Sequence, residues 1–366
     1  MHAAAPGVTE AEEAMNLPVR STEIFADYHA AMEAFIEERW SDGLPVMLPT
    51  PDLVDAMIAG GGRPGDEVIG IVPTREIPLR VWEAATSAVM AGCKPEYFPV
   101  VLATWDALMD PAYNLHTALS STGGAAVACV VSGPYAEKIG MNSGTGLLSP
   151  GNRANNTIGR AIRIGALTAL KAIPGELDLS AFGHAGKLGF HFAEAEPPRG
   201  WPTLREQKGF AREATTVTVL AADAPHQISQ RWAPTADEYL HTVACAMRDL
   251  SSNGAGTDTT YMLALGPEHS GLLADAGMTP ASIAARLSEL SAITVEDMRR
   301  AGINHAMARV FYGEPDARGL LCNARPENIM VFVAGGPGSG WSALISGFAP
   351  AKVTASVTRV VRLPAA

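Results

Sequence analysis

Cys93 sits in the run MAGCKPEYFP, with Lys94 directly after it and a helix predicted to open at Pro95. A lysine and a helix N-terminus both favour thiolate over thiol, so this arrangement points to a nucleophile, a redox relay or a soft metal ligand. Packing is the plainer alternative, since cysteine is among the residue types most often buried. Cys129, inside AAVACVV, reads as strand core, and Cys245 and Cys322 carry no stronger signal. The four cysteines form no C-x-x-C pair and are too few for a disulfide scaffold in 366 residues, so reduced thiols are expected.

A second candidate is GMNSGTGLLSPGNRANNTIGRAIRIGALTA, residues 140–169, which reads as a ligand-binding loop running into a helix. Gly144, Gly146 and Gly151 permit backbone conformations that a Cβ would block, while Asn142, Asn152, Asn155 and Asn156 supply neutral donors and acceptors. Asn155 or Asn156 is placed to cap a helix from about Thr157 to about Ala172, whose positive end would favour an anion beside Arg153. Glycine and asparagine are also ordinary turn formers, and neither nucleotide-binding glycine pattern is present here. The stretch locates a site without naming its reaction.

Titratable groups gather again in FGHAGKLGFHFAEAE, which holds His184, Lys187, His191, Glu194 and Glu196. If this run is extended, Lys187, Gly189 and His191 share one face. Histidines seven residues apart do not make the H-x-x-x-H helical pair of a zinc hydrolase. His226 in ADAPHQIS and His269 in LGPEHSG, next to Glu268, each follow a predicted strand, as does Gly336 in GGPGSGW. Ligands of open α/β sheets bind beyond the carboxyl ends of strands, and glycine-rich turns there can offer N–H groups to an anion. His116, with serines and a threonine downstream, could join the same cleft, but no G-x-S-x-G elbow supports a serine hydrolase.

These residues must be held by a regular scaffold, and the apolar pattern predicts one. Helical spacing covers 23–40, 53–59, 81–92, 95–109 and 235–250, and helices open at Thr279-Pro280 and Thr294. Short apolar runs at 68–72, 125–131, 215–221, 261–266 and 328–334 read as buried strands, the last leading into GGPGSGW. The alternation predicts an α/β fold of two similar-sized α/β halves, with mixed or parallel sheets and a cleft between them. Residues 1–22 read as a disordered lead, 23–175 as the first half, 176–210 as an irregular crossover and 211–366 as the second half. The halves share a loose similarity of order but no sequence repeat.

A net charge of −11 opposes attraction to nucleic acid or to an anionic membrane surface, so neither partner is expected. The first residues lack the basic and apolar regions of a signal peptide, and no run approaches the ~20 apolar residues of a membrane span. A cytoplasmic, oligomeric protein is the expectation.

The phrases DGLPVMLPT, AVMAGCKPEYFPVVLA, SPGNRANNTIGRA, GHAGKLGFHFAEAE, TVTVLAADAPHQI, LGPEHSGLLADAG and VFVAGGPGSG extend from Asp42 across most of the chain. Together they resemble a bacterial family associated with the small UGSC-type selenoprotein or cysteine domain. The resemblance implies thiol or selenol redox chemistry and singles out Cys93, Asn152, Arg153, Asn155, His184, Lys187, Glu194, His226 and His269. The chain departs from that pattern at His191, where cysteine is common, and at Ala195, where asparagine is usual. It has no UGSC motif of its own, so any such centre would come from a separate small subunit.

Three functions follow. In the first, an enzyme or large catalytic subunit acts on a small polar or anionic metabolite by thiol-dependent reductive or lyase-type chemistry. Cys93 supplies the thiolate, Arg153, Asn142, Asn152, Asn155, Gly151, Gly336 and Lys187 hold the substrate, and His184, His226 or His269 moves protons. In the second, a divalent metal ion is held by His184, His226, His269 and a carboxylate such as Glu268 or Glu194, giving a hydrolase or lyase. In the third, the chain binds a metabolite for a catalytic partner.

Overall fold

The computed structural model describes residues 25–232, 235–252, 254–304, 313–338 and 340–364. The lead expected over residues 1–22 lies outside the described residues. In chain order the elements are α1 (Tyr28–Glu37), α2 (Pro51–Gly61), β1 (Val68–Val72), β2 (Ile77–Arg80), α3 (Val81–Ala91), α4 (Phe98–Leu108), α5 (Leu115–Ser120), β3 (Ala126–Ser132) and α6 (Pro134–Lys138). There follow α7 (Arg153–Thr168), β4 (Phe190–Ala193), α8 (Leu204–Gln207), β5 (Thr216–Ala222), β6 (His226–Ser229), α9 (Ala236–Met247), β7 (Thr259–Leu265), α10 (Pro267–Asp275) and α11 (Pro280–Leu290). The described chain ends with β8 (Ile293–Thr294), α12 (Val295–Arg300), β9 (Leu320–Leu321), β10 (Ile329–Val333), β11 (Trp341–Pro350) and β12 (Val357–Val360).

The fold is α/β, and its two halves share one mixed sheet. The sheet runs β10-β7-β11-β5-β3-β4, with β6 added to β11 and β12 added to β5. The pairs β3–β4 and β7–β10 are parallel and the other pairings are antiparallel. Their registers contain an internal two-fold repeat. Ala222 faces Gly347 where β5 meets β11. Three residues back along each strand, Val219 faces Val357 of β12 and Leu344 faces His226 of β6. One residue back, Ala221 faces Val127 of β3 and Ser346 faces Tyr261 of β7. Four residues further along those strands, Val131 faces Ala193 of β4 and Leu265 faces Val333 of β10. The unit β3-β4-β5-β6 thus recurs as β7-β10-β11-β12, and each unit lends its last strand to the other.

The strands read as continuous apolar runs because both faces of the sheet are covered. Ala128, Val130, Phe192, Leu220, Met262, Phe332 and Ile345 belong to one inner cluster drawn from six strands. Phe192 and Phe332, from strands at opposite ends of the sheet order, stack with ring centroids 6.2 Å apart, so the sheet curls its inner face onto itself. Helices α3, α4 and α7 cover the outer face of the first unit around Cys129, Val131 and Val219, and α9 and α11 cover the second around Leu263, Val331 and Leu344. No helix among the described residues is long and apolar enough to cross a membrane.

Three expectations change. The run 68–72 is a strand, but it pairs only with β2 in a separate hairpin and leaves Val68 and Ile71 exposed. Composition alone does not reveal that its faces lack the double cover of the main sheet. The strand at 328–334 is not the last, because β11 and β12 follow it. The crossover 176–210 contains β4, a sheet strand.

Helix α7 lies so close to β4 that a Cβ at Gly159 would stand 2.7 Å from Gly189 Cα and 3.0 Å from Phe190 N. Gly159→Ala is expected to destabilise the protein by about 1–3 kcal/mol in urea unfolding, through overpacking against backbone. Gly271→Ala in α10, where a Cβ meets nothing within 4 Å, should be neutral or slightly stabilising in the same measurement.

Candidate active site

The glycine-asparagine loop is built around its own asparagines. Helix α7 starts at Arg153 with Asn152 as its cap, ahead of the expected Asn155 or Asn156 at Thr157, and it ends at Thr168. Asn152 Oδ1 accepts from Asn155 N at 2.9 Å, while its Nδ2 donates to Gly140 O at 2.8 Å. Buried Asn155 clamps one residue from both sides, accepting from Asn142 N at 2.9 Å and donating to Asn142 O at 3.0 Å. The Asn142 side chain spans the turn to Gly144 N and Thr145 O, and Asn156 accepts from Gly151 N. Gly151 adopts φ +129°, a conformation that strains other residues. The carboxamides of Asn142, Asn152 and Asn155 each have both ends engaged in shaping the loop.

The two glycine-rich loops singled out by sequence meet. Gly335 N donates to Ser143 O at 2.8 Å, and a Cβ on Gly336 would fall 2.6 Å from Thr145 Cα, so only glycine fits there. Ala193 N, at the end of β4, donates to Asn142 O. The loop is therefore pinned between the first unit and the turn after β10.

Other predicted site residues are engaged elsewhere. Cys93 is buried, and that burial pushes its thiol up to about 12, against weaker opposing effects of a Thr157 hydrogen bond and the Arg153 charge. Burial thus disfavours the expected thiolate, while Lys94 turns toward Glu96 at 3.5 Å and Arg153 donates to Gly92 O. Lys187 is held by both oxygens of Asp178, at 2.8 and 2.9 Å, and Arg163 binds the same carboxylate. His184 Nδ1 accepts from Gly186 N and its Nε2 faces Ala222 O at 3.2 Å. Buried His269 contacts Ser342 Oγ at 2.7 Å and Gln230 O at 2.9 Å. Burial lowers the pKa of both histidines. His226 is exposed on β6, and Glu268 accepts from Gly338 N. Among the described residues no group of three or more His, Cys, Asp or Glu side chains is placed to hold a metal ion, so His184, His226, His269 and Glu268 do not converge as ligands.

A different group of residues does converge, at the carboxyl ends of β3 and β4. A cavity of about 500 Å³ opens there, walled by Gly133, Met141, Ser143, Glu194, Arg205 and Arg212. Glu194 is the first residue after β4. Its Oε1 accepts from Leu204 N at 2.7 Å, and the Ser132 hydroxyl donates to Oε2. Arg205 is buried, and both its N–H and its Nη1 donate to Ser132 Oγ, at 3.3 and 3.1 Å. The result is a chain from Arg205 through Ser132 to the carboxyl group. Burial nevertheless dominates and pushes Glu194 up to about 7, while Ser132, Leu204 N–H and Arg205 hold it back. Arg212 lies at the rim, paired with Glu196 at 2.8 Å.

Sequence reasoning named Glu194 as an alternative metal carboxylate and among the positions singled out by the resemblance, and it passed over Ser132, Arg205 and Arg212. One available signal was their placement: Ser132 closes one strand of the parallel pair and Glu194 follows directly on the other. The neutral carboxyl stabilises the fold fully below pH 4.5, and that contribution is lost as pH rises through about 7. Denaturant unfolding at stepped pH should show stability falling across this window by up to about 3 kcal/mol, with the slope removed in Glu194→Gln. Asn155→Ala, which strips both hydrogen bonds from Asn142, should cost about 1–3 kcal/mol in the same assay. Neither a protein-family model nor a curated protein matches the chain.

Proposed function

We propose that this protein is an enzyme that moves a proton on a small polar anion, in the manner of a lyase, within the cavity between β3, β4 and the glycine-asparagine loop. The observation that carries this reading is Glu194, a partly buried carboxyl lining a cavity of about 500 Å³ with a pKa raised to about 7. A carboxyl so poised exchanges protons in both directions near neutral pH, which an ordinary glutamate does poorly.

The internal repeat supplies a control. The position equivalent to Glu194 at the end of β10 is Ala334, and the position equivalent to Ser132 at the end of β7 is Gly266. The same scaffold therefore closes in the second unit without an acid, a hydroxyl or a buried arginine bridging them. That contrast favours a chemical role over a structural one for the trio.

In this reading Arg212 receives the anionic group of the substrate in place of Glu196. Ionised Glu194 takes a proton from the adjacent carbon, and the electron pair left behind forms a double bond as a leaving group departs from the next carbon. The leaving group then takes the proton from Glu194, so the carboxylate is restored. Ser132 and Arg205 act as positioning residues that fix the carboxyl. The burial of Cys93 gives the thiol version, with its separate UGSC-type subunit, less support.

The test is proton NMR in D₂O on a panel of small hydroxy-, keto- and amino-acid anions. Turnover or C–H exchange of one member is expected, rising with pH to a plateau above about pH 7 as Glu194 ionises. Glu194→Gln should lower the rate by about 10²–10⁴-fold. Cys93→Ala should leave it within a few-fold; loss on Cys93→Ala with retention on Glu194→Gln would instead return the thiol reading.

A further inference from the structure

The chain between β4 and β5, residues 194–215, has no counterpart of its length in the second unit, where only residues 334–340 separate β10 from β11. It crosses to the free edge of β10 and covers part of it: Ala195 N donates to Val333 O at 2.8 Å, and Gln207 Nε2 donates to Val331 O at 2.9 Å. The cover stops there. Two residues back along the same edge, at Ile329, a cavity of about 830 Å³ opens between the end of α8, the start of α11 and β10. Pro202, Pro280, Ala284, Ile329 and Met330 make most of its wall apolar. It shares no wall residue with the cavity of Glu194, although residues 202–208 contribute to both.

One charge on this wall has no partner. Half-buried Lys208, at the end of α8, lines the cavity, and among the described residues its ammonium makes neither a hydrogen bond nor an ion pair. Nζ still keeps accessible surface, while burial lowers its pKa. A lysine that carried its head out to bulk water would feel no such burial, so an ammonium that is desolvated, reachable and unpaired lies in the cavity rather than outside it. Nothing else on the wall offsets its charge. Glu327 sits beyond ion-pair reach of Lys208 and pairs with Arg325 at 3.6 Å. The Gln207 amide donates to Pro202 O and Val331 O, and Thr279 Oγ1 accepts from Ser282 N.

We propose that this cavity binds a small monocarboxylate with an apolar body, its carboxylate on Lys208 Nζ and its hydrocarbon part against Ala284, Ile329 and Met330. The sign follows from the unpaired cation: a buried charge without a counter-ion is costly, and a ligand that supplies one forms a charge-assisted bond where little water competes. The single charge follows from the wall, which carries no second cation to hold a dianion such as phosphate. The apolar body follows from the remaining surface, and cavities of several hundred Å³ hold whole ring- or chain-bearing molecules of this kind.

The experiment titrates 4-phenylbutyrate into the full chain by calorimetry, with 4-phenylbutan-1-ol as a neutral control that has the same body. Saturable binding of the acid is expected, about tenfold or more tighter than that of the alcohol. Lys208→Met keeps the apolar stem and should weaken the acid to the level of the alcohol, while melting at the same or a higher temperature, because it removes a desolvated charge that nothing pairs in the free protein. Lys208→Arg restores the charge and should recover most of the affinity. Ala281→Trp, at an exposed position on the cavity wall, should block acid and alcohol alike. Absence of saturable binding by the acid would overturn the assignment. So would equal affinity for acid and alcohol, or a Lys208→Met variant that binds the acid as tightly as the unaltered protein. None of these readouts depends on activity at Glu194.

Discussion

The two halves of this protein are joined where Ala222 of β5 pairs with Gly347 of β11, and the rest of the sheet is counted outward from that contact. A side chain at Gly347 would stand 2.8 Å from Thr259 Oγ1 and 3.0 Å from Thr260 O, both of β7, so glycine at the junction is what lets β11 lie close to β7 at the same residue. The exchange of β6 and β12 between units follows from the same junction. Each fills the edge that its neighbour's central strand leaves open on one side of the pair. Exposed strand edges invite unwanted pairing, and reciprocal exchange removes four of them at once.

Curling of the shared sheet then decides where chemistry can sit. Because Phe192 stacks on Phe332, the strands β4 and β10 approach, and Ala195 N donates to Val333 O at 2.8 Å. The loops leaving both parallel pairs are brought to one place, where Ser143, Thr145, Gly335 and Gly336 interlock. This gives the glycine-asparagine loop a rigid seat with a cavity on either side. One cavity is polar and is lined by a carboxyl of raised pKa; the other is largely apolar and is bordered by His184 and His191, whose pKa values burial lowers. The difference rests on what β4 presents: Glu194 just beyond its end, and His191 within it.

Much of this was legible in the sequence wherever the signal is local. Doubly covered strands appear as apolar runs, and the helices with periodic spacing or a Thr-Pro start lie close to where they were expected. The importance of residues 140–151 was also legible, since glycines and asparagines at that density specify a particular backbone. Their role was not, because an asparagine that braces its own loop and one that binds a ligand look alike until their partners are known. Cys93 misled for a related reason: Lys94 is adjacent in sequence but faces Glu96, while burial sets the thiol. The Glu194 site was hidden by distance along the chain. Its proton affinity depends on Ser132, sixty-two residues earlier, and on Leu204 and Arg205, which reach it only once α8 has folded over β4. Strand β11, written WSALISGFAP, is rich in small residues, glycine and proline, and its strand character comes from pairing with β7.

The central claim is that burial holds one carboxyl, Glu194, near neutrality at the edge of a cavity. Its most direct test is a carbon-13 NMR titration of the glutamate side-chain carboxyls, with the Glu194 resonance identified by its loss in Glu194→Gln. A midpoint near 7, well separated from the other glutamates, is the result this account predicts. A midpoint in the ordinary range, around 4.3, would contradict it, since such a carboxylate would be fully ionised at neutral pH and unable to return the proton it takes.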